Sequence, residues 1–468
     1  MSNSVPGAPT QASQAPSGKV AKPAMRWIVP VIAVFAVVAT AAAMPFVIDD
    51  TPQSGAMLWP EMMPPDAPEA LLSQMDPDAP APTPNGLKAA LDGPIDDIDG
   101  DVGMTVYDGL SGETIYESHG SEAMIPASSL KVATGVAALR EVGATHRIPT
   151  RVVQGDNGQV TIVGGGDVTL SADGTGYYKN AASLADLAEQ VKKSLDGEQV
   201  TSVTVDTSLF DGDKLAPGVP KSDVAEGYTS YMEPLMMHGG RLKPDAVQYS
   251  AREEKPALEA AKAFAHHLGV DDVSEGTAPE DAETLGTVYS PPIQQLVEHA
   301  LLTSDNTLTD SLSRQVAIAA GEPASFEGGV KATQATLKEL GVSLDGAVMN
   351  DGSGLSPDDR LSSATLADLI KVSMDEKNAD LSSLFTALPV AGFTGSLHDR
   401  YIADNDAGAG KVHAKTGTLS KVSSLTGYTL TQDGRVLVFA LIANKVKDGD
   451  IETDLDAVAA TLAQCGCR

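Results

Sequence analysis

The chain of 468 residues carries 63 Asp and Glu against 32 Lys and Arg, a formal net charge of −31. So acidic a surface repels a phosphate backbone, which argues against nucleic-acid binding and for a soluble, self-repelling body. Cys465 and Cys467 are its only cysteines and its eight histidines show no ligand spacing, so neither a disulfide framework nor a structural zinc set is expected, and no metal or cofactor is inferred.

Residues 1–26 are rich in Ser, Pro, Ala and Gln, with Lys19, Lys22 and Arg26 but no acidic residue, and read as a cytoplasmic tail. Trp27 to Ile48 then runs without a charge. As a helix its 22 residues span about 33 Å, enough for a bilayer core of about 30 Å. Lys and Arg on its N-terminal side imply that the remainder is exported. The segment reads as a retained anchor. A cleavable signal peptide is the alternative, because Ala41-Ala42-Ala43 resembles a small-residue cleavage site. Residues 49–86, and the Pro, Asp and Ala content onward to Pro94, read as an extended linker that also holds Met57, Trp59, Met62 and Met63.

Val102–Tyr107 and Thr114–Glu117 predict a hairpin around Asp108–Gly112, and Pro126–Leu139 has the Ala, Leu and Val content of a helix with proline near its start. Between Arg151 and Leu285, Val152–Val163 and Val200–Val205 alternate like strands, while Ala182–Leu195 and Pro256–Leu268 look helical. That stretch is long enough for a separate domain, residues 151–285. The apolar run Ile293–Leu302, then Ser304-Asp305-Asn306, then Leu308, Leu312 and Val316 predict two helices with a break between them. Leu425–Thr431 and Val436–Ala443 are β-prone runs joined by Gln432-Asp433-Gly434-Arg435, a hairpin signal, and a closing helix is expected from Ile451 to about Ala463. Antiparallel strands with helices packed on them make residues 87–150 and 286–468 a split α+β domain. At the end of the chain, Cys465 and Cys467 could bridge each other across Gly466 or link two chains in an oxidising exterior.

Three short signatures fall in order along this framework: Ser128-Ser129-Leu130-Lys131, Ser304-Asp305-Asn306 and Lys415-Thr416-Gly417. Each is weak alone, and the second is also an ordinary set of helix-capping residues. The set describes an activated serine. A serine hydroxyl attacks an acyl carbon only when a neighbouring base takes its proton. Ser128 and Lys131, three apart, share a helix face, whereas Ser129 does not. Lys131 acts as a base only if burial or a nearby cation, such as Lys415, lowers its pKa. Ser304 can relay a proton, and the Asn306 amide has a donor and an acceptor for a peptide backbone. Lys415 with hydroxyls on a strand edge suits a substrate carboxylate, and Gly417 lets a substrate backbone approach closely. His413 shares the side of Lys415 by two-residue alternation and reads as a rim residue.

Serine β-lactamases and penicillin-binding proteins share these three elements in this order. With Val163-Gly164-Gly165-Gly166-Asp167, Ser290-Pro291-Pro292, Asn350-Asp351-Gly352-Ser353-Gly354-Leu355-Ser356 and Gly395-Ser396-Leu397, the chain from about Leu87 onward resembles the D-alanyl-D-alanine carboxypeptidase/endopeptidase family, the type-4, low-molecular-mass class C penicillin-binding proteins. That resemblance implies a transpeptidase-like domain, an antiparallel sheet flanked by helices plus a helical lobe, interrupted by a large inserted domain. It implies Ser128 as the acylated nucleophile, Lys131 as base, Ser304 and Asn306 as relay and clamp, and Lys415, Thr416 and Thr418 as the carboxylate site. The backbone N–H groups of Ser128 and Thr418 would form the oxyanion hole, and Asp351, Ser353 and Gly354 would shape the site. The implied substrates are peptidoglycan stem peptides ending in D-Ala-D-Ala, with β-lactams as inhibitors and a location in the cell envelope outside the cytoplasm. Pro357 departs from the family, whose members often carry a basic residue there. Arg360 or Arg400 could serve instead, although both read more simply as surface salt-bridge partners. The alternatives are a catalytically idle wall-binding protein of the same fold, or a β-lactamase. Against the latter, no Glu-x-x-x-Asn of the class A type lies between Ser304 and Lys415.

Overall fold

A computed structural model describes residues 78–246, 249–447 and 451–467. The tail, the apolar segment 27–48 and the linker through residue 77, with Trp59 and its neighbouring methionines, lie outside the described residues. The end of the expected linker is not extended. Thr83 accepts a hydrogen bond from the Gly86 amide and Pro84 takes the first helical position, so α1 (Pro84–Asp96) begins inside it. Leu87 and Leu91, four apart, are fully buried on one face, and this pair outweighs the tether-like composition around it.

After α1 comes the hairpin β1 (Asp101–Asp108) and β2 (Thr114–Ser118), and then α2 (Lys131–Ala137). The chain continues through β3 (Pro149–Gln154), β4 (Gln159–Val163), β5 (Asp167–Leu170), α3 (Leu184–Ser194), β6 (Ser202–Asp206), α4 (Ser222–Glu226) and β7 (Leu235–Met237). Next are α5 (Pro256–Leu268), β8 (Val273–Glu275), β9 (Thr284–Tyr289), and the helices α6 (Ile293–Thr303), α7 (Asn306–Ala319), α8 (Phe326–Glu339), α9 (Ser363–Met374) and α10 (Ser383–Thr386). It closes with β10 (Val412–Leu419), β11 (Val422–Leu430), β12 (Val436–Asn444) and α11 (Ile451–Gln464).

One five-stranded sheet has the order β10-β11-β12-β1-β2 with every pairing antiparallel, which leaves β10 at an edge. Its middle strand explains the layering. Leu437, Phe439, Leu441 and Ala443 face a cluster with Leu87 and Leu91 of α1 and Leu455, Val458 and Leu462 of α11. Val436, Val438, Ala440 and Ile442 face Leu130, Val132, Val136, Leu366 and Ile370 on the other side. Period-two alternation thus splits one apolar run between two cores, each large buried side chain contributing about 1.5–3 kcal/mol. The other five-stranded sheet, β8-β6-β4-β3-β9, is mixed: β3 pairs antiparallel with β4 and β9, while β4, β6 and β8 run parallel. Parallel neighbours need crossovers, and α3 and α5 supply them while packing Leu187, Val191 and Phe264 against Ile162 of β4 in a third core. Cys465 and Cys467 are paired, and the Thr83 amide donates to the Cys467 carbonyl at 2.7 Å. Among the described residues no helix is long and apolar enough to cross a membrane.

Candidate active site

The helix expected over Pro126–Leu139 is not uniform. Ala127 adopts a left-handed φ of 47° and opens a 3-10 turn, Ala127–Leu130, that runs into α2; the helix then ends in a π turn, Ala138–Gly143. Three residues per turn stack side chains at i and i+3, a tighter alignment than an α-helix gives. Lys131 Nζ accordingly donates to Ser128 Oγ at 3.0 Å. Ser129 faces elsewhere, its Oγ 2.8 Å from Ser424 Oγ. Lys131 is wholly buried and also donates to Asn306 Oδ1 at 2.5 Å and to the Ser353 carbonyl at 2.6 Å. Burial is the largest influence on this amine and lowers its pKa to about 8, against the opposing pull of Asp351, Asp310, Asp305 and Asp359.

Ser304 ends α6 with a left-handed φ of 57°, and Asp305 caps α7 by accepting from the Leu308 amide at 3.0 Å. The capping of α7 is done by Asp305, not by Ser304, and both residues line the cleft. Ser304 Oγ accepts from Lys415 Nζ at 3.0 Å, so its observed partner is Lys415 rather than Lys131. Lys415 is equally buried; burial first, then the charges of Lys131 and Arg400, push its pKa well down. Asn306 does not offer a free amide. Its Oδ1 is held by Lys131 and its Nδ2 donates to the Tyr228 carbonyl at 2.9 Å, so it ties the amine to a loop.

Two glycines fix how closely these pieces meet. A Cβ on Gly417 would lie 2.9 Å from the Ser128 nitrogen and 2.8 Å from the Pro126 carbonyl oxygen. The neighbour that needs this glycine is the Ser128 turn itself, not only an incoming substrate backbone. Gly354, at a φ of 77°, would place a Cβ 1.9 Å from the Ala127 carbonyl oxygen. Its loop is held from below: Asp351 accepts from the amides of Ser353, Gly354 and Ser356, and Asp310 from Gly352. Asp351 and Ser353 are fully buried, so they position the loop and, through the Ser353 carbonyl, Lys131.

A cleft of about 890 Å³ opens over Ser128, Ser304, Asn306, Gly354, Thr416 and Thr418. The Thr416 hydroxyl pairs with Ser396 Oγ at 2.6 Å, and Thr418 Oγ1 donates to Glu452 at 3.0 Å. Arg400, expected at the surface, is instead a cleft residue with only 14% of its side chain exposed, bonded through Nη2 to Asp456 at 2.5 Å. Arg360 donates to the carbonyls of Pro357 and Asp359, folding back on its own loop. His413, partly buried, stacks on Tyr428 with ring centroids 4.7 Å apart. On the far wall, Tyr178 donates to Asp305 at 2.9 Å while Arg241 lies 3.6 Å over the Tyr177 ring. Sequence reasoning passed over Tyr178 and Tyr228 in bends, Arg241 in an isolated bridge to Arg252 and Glu452 on α11, none of which carries a local pattern. Ser396 was visible only as part of a motif.

Two serine hydroxyls at the surface of a cleft, each bonded to a buried amine, can perform acyl transfer: a neutral lysine can take a serine proton, and the threonine hydroxyls beside it can donate to an anionic substrate. Among the described residues no group of three or more His, Cys, Asp or Glu could hold a metal ion. The architecture matches penicillin binding protein 4 (dacB) from Haemophilus influenzae with a TM-score of 0.65 at 22% identity, covering 81% of this chain and 98% of that one. Carboxypeptidase DacB of Mycolicibacterium smegmatis is 38% identical over 93% of this chain and 96% of the relative. Carboxypeptidase Rv3627c of Mycobacterium tuberculosis is 37% identical over 83% and 86%. Residues 87–268 and 243–465 match the profile of the D-Ala-D-Ala carboxypeptidase 3 (S13) family. With that coverage, and with relatives this similar along nearly their whole length, the chain belongs to the D-Ala-D-Ala carboxypeptidase 3 (S13) family.

Proposed function

We propose that this chain is a serine-type D-Ala-D-Ala carboxypeptidase/endopeptidase that cuts peptidoglycan stem peptides and cross-links through an acyl-enzyme, with Ser128 as nucleophile. The observation that carries the reading is the 3.0 Å bond between Ser128 Oγ and an amine whose pKa burial lowers to about 8. At neutral pH about one such lysine in ten is unprotonated. That fraction takes the Ser128 proton as Oγ attacks the carbonyl carbon of the penultimate D-Ala. The developing oxyanion meets the N–H groups of Ser128 and Thr418. The bond to the terminal D-Ala nitrogen then breaks, and the proton that Lys131 took passes by way of Ser304 to that nitrogen, which leaves Lys131 neutral. Water next attacks the Ser128 ester and gives a proton to Lys131, which passes it to Ser128 Oγ as the ester bond breaks and the hydroxyl is restored. Thr416, Thr418 and Lys415 hold the terminal carboxylate, and the Asp351–Gly354 loop keeps Lys131 in line.

In this reading residues 151–285 are the inserted domain, a view supported by the strands β3, β4, β6, β8 and β9 pairing among themselves. The body works on the wall outside the cell and is held to the membrane by residues 27–48, whose uncharged run follows Lys19, Lys22 and Arg26. The test is intact-mass and peptide mass spectrometry after benzylpenicillin treatment. A stable adduct on the peptide containing Ser128, absent in Ser128→Ala, is the expected result. No adduct, or one on another residue, refutes the assignment. Digestion of purified muropeptides then separates release of D-Ala from cleavage of cross-links.

A further inference from the structure

Glu452 stands where the proposed function puts a substrate's terminal carboxylate. Its Oε1 accepts from the Thr418 hydroxyl at 3.0 Å and its Oε2 lies 3.7 Å from Arg400 Nη1, with all three residues lining the cleft. The two partners differ from Glu452 in how firmly they are held. Arg400 is fixed by Asp456, Nε to Oδ2 at 2.8 Å and Nη2 to Oδ1 at 2.5 Å, and by the Glu452 backbone carbonyl at 3.1 Å. Thr418 belongs to strand β10, paired along its length with β11. The Glu452 side chain is 43% exposed and has open solvent to turn into.

A hydroxyl and a guanidinium are the partners any ligand carboxylate would seek, and the threonine hydroxyl has a single proton to give. Two carboxylates cannot both take it. Asp456 already balances Arg400, so Glu452 adds a negative charge at the spot where the substrate's own must arrive.

We propose that Glu452 is a built-in stand-in for the substrate carboxylate, which a ligand with a free C-terminus must displace from Thr418 and Arg400, so that this residue sets the enzyme's discrimination between free-acid and blocked C-termini. The proposal rests on the reading of Thr418 as part of the carboxylate site. An uncharged C-terminus neither displaces Glu452 nor is repelled by it. A free acid does the first and suffers the second until Glu452 has turned away.

The test is binding of N-acetyl-D-Ala-D-Ala and of its C-terminal amide to the full chain carrying Ser128→Ala, with and without Glu452→Gln, by NMR titration. Because Ser128→Ala removes acylation, only recognition is read. Adding Glu452→Gln strengthens binding of the acid about tenfold, as expected for relieving one charge contact, and changes binding of the amide less than about twofold. Equal changes for both ligands, or none for the acid, overturn the proposal. The penicillin adduct is measured in parallel on Glu452→Gln with Ser128 intact. An adduct there together with an unchanged acid-to-amide ratio refutes the role of Glu452 alone. Absence of the adduct in the unsubstituted chain refutes the Ser128 reading, while the titration still reports on Glu452.

Discussion

Lys131 carries opposite demands at one atom: its amine donates to three oxygens, while the proposed mechanism needs its neutral form to remove a proton from Ser128. Burial favours the neutral form, and nearby carboxylates led by Asp351 limit how far the pKa falls, leaving it at about 8. The sign of the pH dependence follows. Neutral amine accumulates as pH rises, so acylation by benzylpenicillin should speed up from pH 6 to pH 9 with a midpoint at about 8. A stopped-flow profile that is flat or falls over that range would remove Lys131 as the base. Lys131→Ala should lose about 10²–10⁴ of the acylation rate, the range for removal of a positioned base.

At the scale of elements, the site is a meeting of a 3-10 turn, a break between two helices and an edge strand, and the tolerances between them are small. Gly417 of β10 touches the Ser128 turn with no space for a methyl group: an added Cβ would come within 2.3 Å of Ser424 Oγ and 2.9 Å of the Ser128 nitrogen. Gly417→Ala should therefore push strand and turn apart. The acylation rate should drop about 100-fold, the cost of a displacement near 1 Å, with the far-UV circular dichroism spectrum retained. An unchanged rate would mean that the contact is slack. Much of this arrangement was readable because it is local. Three-residue spacing aligned Ser128 with Lys131, and the polar triplet between apolar runs marked the break at Ser304. What no local pattern encoded was which partner each group would take: Ser304 bonds Lys415, and Asn306 reaches Tyr228, 78 residues away in sequence.

For the whole molecule, the hairpins β1–β2 and β11–β12 and the closing helix were visible in apolar periodicity, whereas their joining into one sheet through the β12–β1 pairing was not, and α1 was hidden by the Pro and Asp around its two leucines. That oversight has a measurable side. A variant beginning at Asp78 keeps α1, and should retain both folding and acylation. One beginning at Asp97 strips Leu87 and Leu91 from the face of α11 and should lose about 3–6 kcal/mol in urea unfolding, two buried leucines at about 1.5–3 kcal/mol each. Equal stability of the two variants would show that α1 is an ornament on an already complete core.

The hydrogen bond from the Thr83 amide to the Cys467 carbonyl brings the first turn of α1 beside the last described residue. The polypeptide loop is thus nearly closed, so a few added residues could join these two points and new ends could be cut in an exposed turn elsewhere, such as that around Gly197. A fluorescent reporter attached after Cys467 would sit beside the first turn of α1, so energy transfer from it would report on that helix and not on the Ser128 cleft.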